Sequence, residues 1–167
     1  MDNANLNDLL LNSGERQFWL KPWGNPERSP DEEEQFFTST TLTIGFSKQP
    51  NAVEVGDILV VHRIKVAKIM LVAEVVSAPH HATDEEKKKN PLLKRWAWSV
   101  EGKNITPSYG AQWFEHSLKT FALAEEFKKL NPEEKFTLGS INFGNDKLRI
   151  PKSFGEFVVK EIQRLEE

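Results

Sequence analysis

Cysteine is missing from this sequence altogether. Its absence removes disulfide staples, thiolate zinc sites, thiol nucleophiles and thiol redox switches, and it is consistent with a reducing cytosol. Long apolar runs are missing as well. None approaches the ~20 residues that span a bilayer, and the polar start Met1 to Asp8 lacks the basic-then-apolar layout of a signal peptide. The expectation is a soluble cytoplasmic chain with no membrane partner. Nor is there an excess of positive charge: 22 Lys and Arg against 25 Asp and Glu leave a net charge of -3. That balance argues against coating nucleic acid by bulk electrostatics, but it leaves room for a local basic groove. No His-x-x-x-His spacing, carboxylate facial pattern, glycine-rich phosphate loop or Ser-His-Asp ordering stands out, so no metal, no cofactor and no catalytic residue is assigned.

What is abundant is aromatic. Five Trp and eleven Phe serve either a compact core or a stacking site. A length of 167 residues suits one domain with a substantial core. Val55 to Pro79 is its centre: Gly56-Asp57 signals a turn, and two β-branched, aliphatic runs follow, separated by the charged patch Arg63 to Lys68. Each run is apolar on both faces, which predicts a hairpin covered on both sides, in mid-sheet or in the wall of a small barrel. Glu74 is the exception, and burial would demand a partner for it.

Around that hairpin the remaining elements follow from spacing. Asn5 to Asn12 reads as a short accessory helix, part of a helical extension over residues 1–16. Arg16 to Leu20 reads as a strand closed by a loop over Lys21 to Pro26, and Phe36 to Phe46 as a strand bent at Gly45. His80 to Asn90 reads as a mobile charged excursion. Trp96, Trp98 and Val100 share one face of a strand from Lys94, and Glu101 to Asn104 turns the chain. A helical region starts at Ser108 and stops at Asn131-Pro132. A hairpin turns at Gly144-Asn145-Asp146. A final helix opens on a Ser153/Glu156 capping box and buries Phe154, Phe157, Val158, Ile162 and Leu165. Together these make one α+β domain of about six strands with flanking helices.

The succession Trp19-Leu20-Lys21-Pro22, Gly56-Asp57 opening an apolar strand, Ala73-Glu74-Val75-Val76 and Trp96 to Val100 resembles the PUA-like superfamily, most nearly the EVE domains, whose relatives include YTH and ASCH domains. The resemblance covers roughly Phe18 to Gly110 and rests on short motifs. Lys21-Pro22 stands where the family has Glu-Pro, and Val61-His62 where it has Tyr-His. The resemblance implies a single PUA-like, EVE-type domain over residues 1–167, built as a small β-barrel that accepts a nucleobase, often a modified one, between aromatic side chains.

The ligand-binding candidates are therefore Trp19, Trp23, His62, Arg63, Trp96 and Trp98. Indoles suit any base because every base has a π-face. Trp23, between Pro22 and Gly24, needs a reason for its place in an expected loop, while Trp96, Trp98 and Trp113 are equally suited to a core. His62 would donate to a base edge. Arg63, with Lys65 and Lys68 and with Lys94 and Arg95, would hold a phosphate or else end a solvated strand. The leading expectation is a nucleic-acid-binding module that takes a single-stranded or flipped-out base or a modified nucleotide. One alternative is a protein-interaction or regulatory module without a base pocket. Another is an ASCH-like hydrolase of a modified nucleoside, using Glu74 as base with Thr43 and Lys48. The compact Lys-x-x-Thr-x-Arg spacing of such enzymes is absent from Thr38 to Lys48, which favours a non-enzymatic chain.

Overall fold

The structure, a computed structural model, describes residues 2–12, 14–24, 39–116, 118–134, 136, 138 and 146–165. Along the chain they form α1 (Asp2–Leu11), β1 (Phe18–Trp23), β2 (Thr41–Phe46), β3 (Ile58–Arg63), β4 (Lys68–Val75), β5 (His80–His81), α2 (Asp84–Lys89), a 3₁₀ turn (Pro91–Lys94), β6 (Trp98–Asn104), α3 (Pro107–Gly110), α4 (Thr120–Leu130), β7 (Leu148–Ile150) and α5 (Lys152–Arg164). Among the described residues this is an α+β chain with a mixed sheet of seven strands in the order β2-β6-β4-β3-β1-β7, with β5 also paired to β6. No described helix is long and apolar enough to cross a membrane.

The expected hairpin is its centre. β3 and β4 pair antiparallel, with a register shift between Val61 and His62, and every residue of β3 is buried, as two apolar faces require. Glu74, the polar exception, is held in an ion pair with Arg16. The α5 stripe of Phe154, Val158 and Ile162 is buried, but Leu165 is exposed. Pro151 occupies the N-cap in place of a capping box, and the Ser153 hydroxyl donates instead to Glu134. The N-terminal helix is more than an accessory, since Leu6 and Leu9 sit in the core.

Three elements depart from expectation for local reasons. β1 runs on through Lys21-Pro22-Trp23 as the parallel partner of β3, with Phe18 opposite Ile58 and Trp23 opposite Arg63. Pro22 is tolerated because the Trp23 carbonyl accepts from the Ile64 amide, which turns the missing N–H of the preceding residue toward β7. There the pairing has already ended at Leu20. Glu101 to Asn104 belongs to β6 and is not a turn. Gly102 marks close packing, for a Cβ there would lie 2.9 Å from Ile44 Cδ1. The charged segment after Pro79 is tied down by β5 pairing with β6, by buried Ala82 and by a capping box between Thr83 and Glu86 that starts α2. The helical region from Ser108 divides into α3 and α4. The segment Phe36 to Thr38 and the turn residues Gly144 and Asn145 lie outside the described residues.

The described backbone pairing leaves β2 and β7 as the two edges, so the sheet is not closed into a barrel. It is nevertheless strongly curled. The two edges are linked by the Asp146 carboxylate, which accepts from the Ser47 amide at 3.0 Å, the Ser47 hydroxyl at 2.7 Å and the Lys48 amide at 2.8 Å.

Candidate functional site

Strand alternation divides the expected ligand residues between two faces. Trp19, Lys21 and Trp23 point to one side of β1, in register with Leu59, Val61 and Arg63. Across the curl, Phe46 of β2 is paired with Trp98 of β6. The two groups meet: the Lys21 ammonium lies 4.6 Å from the centroid of the Phe46 ring. The concave face thus carries an unbroken run from Trp98 through Phe46 and Lys21 to Trp23 and Arg63. Trp23 and Trp98 are half-buried and pack against the core, whereas Trp19 is 5% exposed.

Trp19 is fixed by its own partners. Its Nε1 donates to Asp57 at 3.0 Å, and Asp57 also accepts from the amides of Gln17 and Glu54. Lys147 stands over the indole, 5.2 Å from its centroid. Trp98 is flanked at its edge by His81, with centroids 4.8 Å apart.

Two cations are sunk into this face. Lys21 is 4% exposed, and its Nζ donates to the Pro22 carbonyl at 2.9 Å. Burial pulls its pKa from the usual 10.5 down to about 8, against the opposing pull of the Asp146 charge. Burial alone would raise Asp146, but hydrogen bonds from Ser47 and Lys48 and the nearby Lys21 charge outweigh it and leave that carboxyl lowered. Arg63 is fully buried and donates through Nη1 to the Ile64 carbonyl at 2.7 Å. Gly24 makes room for it: φ is +133°, and a Cβ would stand 2.3 Å from Arg63 Nη1.

The other two candidates lie elsewhere. His62 shares the opposite face of β3 with Ile58 and Val60, under α4. Its Nδ1 is 2.5 Å from the Thr120 hydroxyl and its ring meets Phe121 edge-on. Burial lowers its pKa to about 4, so it is neutral at physiological pH. Trp96 precedes β6 and packs against the outward side of Gly45, where a Cβ would be 3.2 Å from its own, with Arg95 over its ring at 4.9 Å. Trp19, Trp23, Arg63 and Trp98 share a face, and His62 and Trp96 do not join them.

Sequence reasoning passed over Lys21 and Asp57. The signal for Lys21 was a lysine in phase with Trp19 and Trp23 inside Phe-Trp-Leu-Lys-Pro-Trp, obscured by the proline after it. Two of the residues considered for hydrolysis are otherwise engaged: Glu74 with Arg16, and Thr43 through its hydroxyl with Glu101. Among the described residues no three His, Asp or Glu side chains come together as metal ligands.

No protein-family model matches the chain, and no curated protein sequence does. Solved structures do. A hypothetical protein from Leishmania major aligns over 92% of this chain and 98% of its own, at 13% identity with a TM-score of 0.57, so the two share a fold. The YTH domain of a Zygosaccharomyces rouxii protein in complex with N6-methyladenosine RNA aligns over 90% and 88%, at 13% identity with a TM-score of 0.49. A mutant ASCH protein from Zymomonas mobilis aligns over 88% and 97%, at 5% identity with a TM-score of 0.45.

Proposed function

We propose that this chain is a PUA-like nucleic-acid-binding module whose concave face holds a single nucleobase, free of its neighbours' stacking, between aromatic side chains. The observation that carries the reading is Lys21, a cation buried on the same face as Trp19, Trp23 and Trp98. Burying a cation lowers stability even with the Asp146 charge nearby, since desolvation outweighs that attraction at Lys21, and an apolar side chain would suit the position better. A ligand carrying carbonyl or phosphate oxygens on a flat ring accounts for both halves of the arrangement: the indoles offer stacking surface, and the ammonium offers donors.

In this reading Trp23 and Trp98, half-open at the rim, take the base. Lys21 behind them donates to an exocyclic oxygen or a phosphate oxygen, its Nζ keeping hydrogens to spare beyond the one given to Pro22. Arg63, locked by Gly24 and Ile64, sets the floor beside Trp23. Asp57 positions Trp19 without touching the ligand. His62, neutral and tied to Thr120, takes no part.

Fluorescence anisotropy with labelled single-stranded oligonucleotides tests the proposal. Trp23→Ala is expected to weaken binding by the ~1–3 kcal/mol of one lost stack, about five- to a hundred-fold. Wild-type affinity retained in both Trp23→Ala and Lys21→Met would rule the proposal out.

A further inference from the structure

The surroundings of Lys21 select the kind of group it meets. Its ammonium has three hydrogens, and one of them goes to the Pro22 carbonyl at 2.9 Å. The Phe46 ring closes one side, with its centroid 4.6 Å from Nζ. Two hydrogens remain for a ligand lying against Trp23 or Trp98. A negative charge stands near as well. The Asp146 carboxylate opposes the effect of burial on Lys21, and hydrogen bonds from the Ser47 amide, the Ser47 hydroxyl and the Lys48 amide favour its ionised form. A phosphate brought to Lys21 would be repelled by that carboxylate. A neutral carbonyl oxygen would not, so the spare hydrogens suit the base rather than the sugar-phosphate backbone.

The acceptors of this face are engaged by the protein itself. Asp57 accepts from the Gln17 and Glu54 amides, the Gln17 side-chain amide and the Trp19 indole, which fills what one carboxylate can take. Asn104, set on this face by its pairing with Ala73, accepts from the Thr106 amide at 3.0 Å through Oδ1. His81 is exposed and stands beyond Trp98, edge-on to it. An exocyclic amino group brought to Lys21 would therefore set its hydrogens against those of the ammonium. We infer that the base held here is a 6-oxopurine, guanine or hypoxanthine, whose adjacent O6 and N7 acceptors take the two remaining hydrogens of Lys21. Adenine keeps N7 but replaces O6 with an amino donor, cytosine presents an amino group, and thymine offers O4 alone. The inference rests on the reading of the concave face as a base site and names the class of base.

The test titrates the full chain, by fluorescence anisotropy, with labelled DNA pentamers that are abasic except at the centre, which carries hypoxanthine, adenine or no base. The wild type is expected to bind the hypoxanthine pentamer about ten- to a hundred-fold tighter than the adenine one, the worth of a hydrogen bond to a charged donor. Lys21→Met, shown to be folded by thermal melting, should bind the two alike. Both should still exceed the fully abasic pentamer in that variant, because the stack on the indoles is kept. Equal binding of hypoxanthine and adenine by the wild type would overturn the inference by giving Lys21 to a phosphate. A preference for adenine would overturn it too, as would a preference for hypoxanthine that survives in Lys21→Met. In each of those cases the base site itself stands if the advantage over the abasic pentamer is lost in Trp23→Ala. Base-containing pentamers bound no tighter than the abasic one would remove the base site and the inference together.

Discussion

Replacing Lys21 with methionine should make this protein more stable at neutral pH. The folded chain holds the ammonium inside the curled sheet with its pKa drawn from 10.5 to about 8 by burial. The unfolded chain therefore binds more protons between those two values, and stability rises as pH climbs through that window. At pH 7, where both states are protonated, the burden on folding is at most about 3 kcal/mol, from ~1.4 kcal/mol for each tenfold change in proton affinity. Methionine keeps most of the length and volume but gives up the hydrogen bond to Pro22, so a net gain of about 1–2 kcal/mol is expected. Urea unfolding of both proteins at pH 7 and pH 10 reads this directly. The variant should lead at pH 7, and its lead should shrink by about 2 kcal/mol at pH 10, since the wild type sheds its buried charge there. A Lys21→Met protein less stable than wild type at pH 7, with the same pH dependence, would refute the reasoning by showing the ammonium to be well satisfied where it sits.

Other consequences follow from single residues. His62, lowered from 6.5 to about 4 by burial, must be charged by the unfolded chain first, so stability should fall by up to about 3 kcal/mol as pH drops from 6.5 to 4. His62→Gln should flatten that fall in urea titrations. Gly155→Ala would put a Cβ 2.2 Å from Phe18 Cδ2 in the core and should destabilise by about 3 kcal/mol. Gly56→Ala, with φ +96° and nothing within 4 Å, should lose only about 1 kcal/mol of backbone strain by the same assay. Trp23→Ala should reduce stability by about 1–3 kcal/mol, less than a fully buried tryptophan such as Trp113 at about 3–5 kcal/mol, in parallel thermal melts.

The β3–β4 hairpin was legible because its runs are apolar on both faces, a pattern only a covered strand sustains. The α5 stripe was legible by its helical period. Lys21 was not, because proline reads locally as a break and only the position of β7 reveals that no ladder bond is lost at Pro22. Gly102 reads as a turn for the same reason, since the demand for a small residue comes from Ile44 and Ala73 on neighbouring strands. Arg63 resembles a solvated strand end until β1 lays Trp23 and Gly24 over it. His62 and Trp23 both suit a ligand, and only the β1–β3 register, which sets Trp23 beside Arg63, shows them on opposite faces. Which face the helices cover is decided by α4 and α5, far along the chain.

The five tryptophans allow one measurement aimed at the concave face itself, the indole N–H resonances in a ¹⁵N-edited NMR titration with a single-stranded oligonucleotide. The account predicts large, saturable shifts for Trp23 and Trp98, a smaller one for Trp19 through its Asp57 hydrogen bond, and none for buried Trp113. Saturable binding that shifts Trp96 alone, or that leaves Trp23 and Trp98 unmoved, would contradict it.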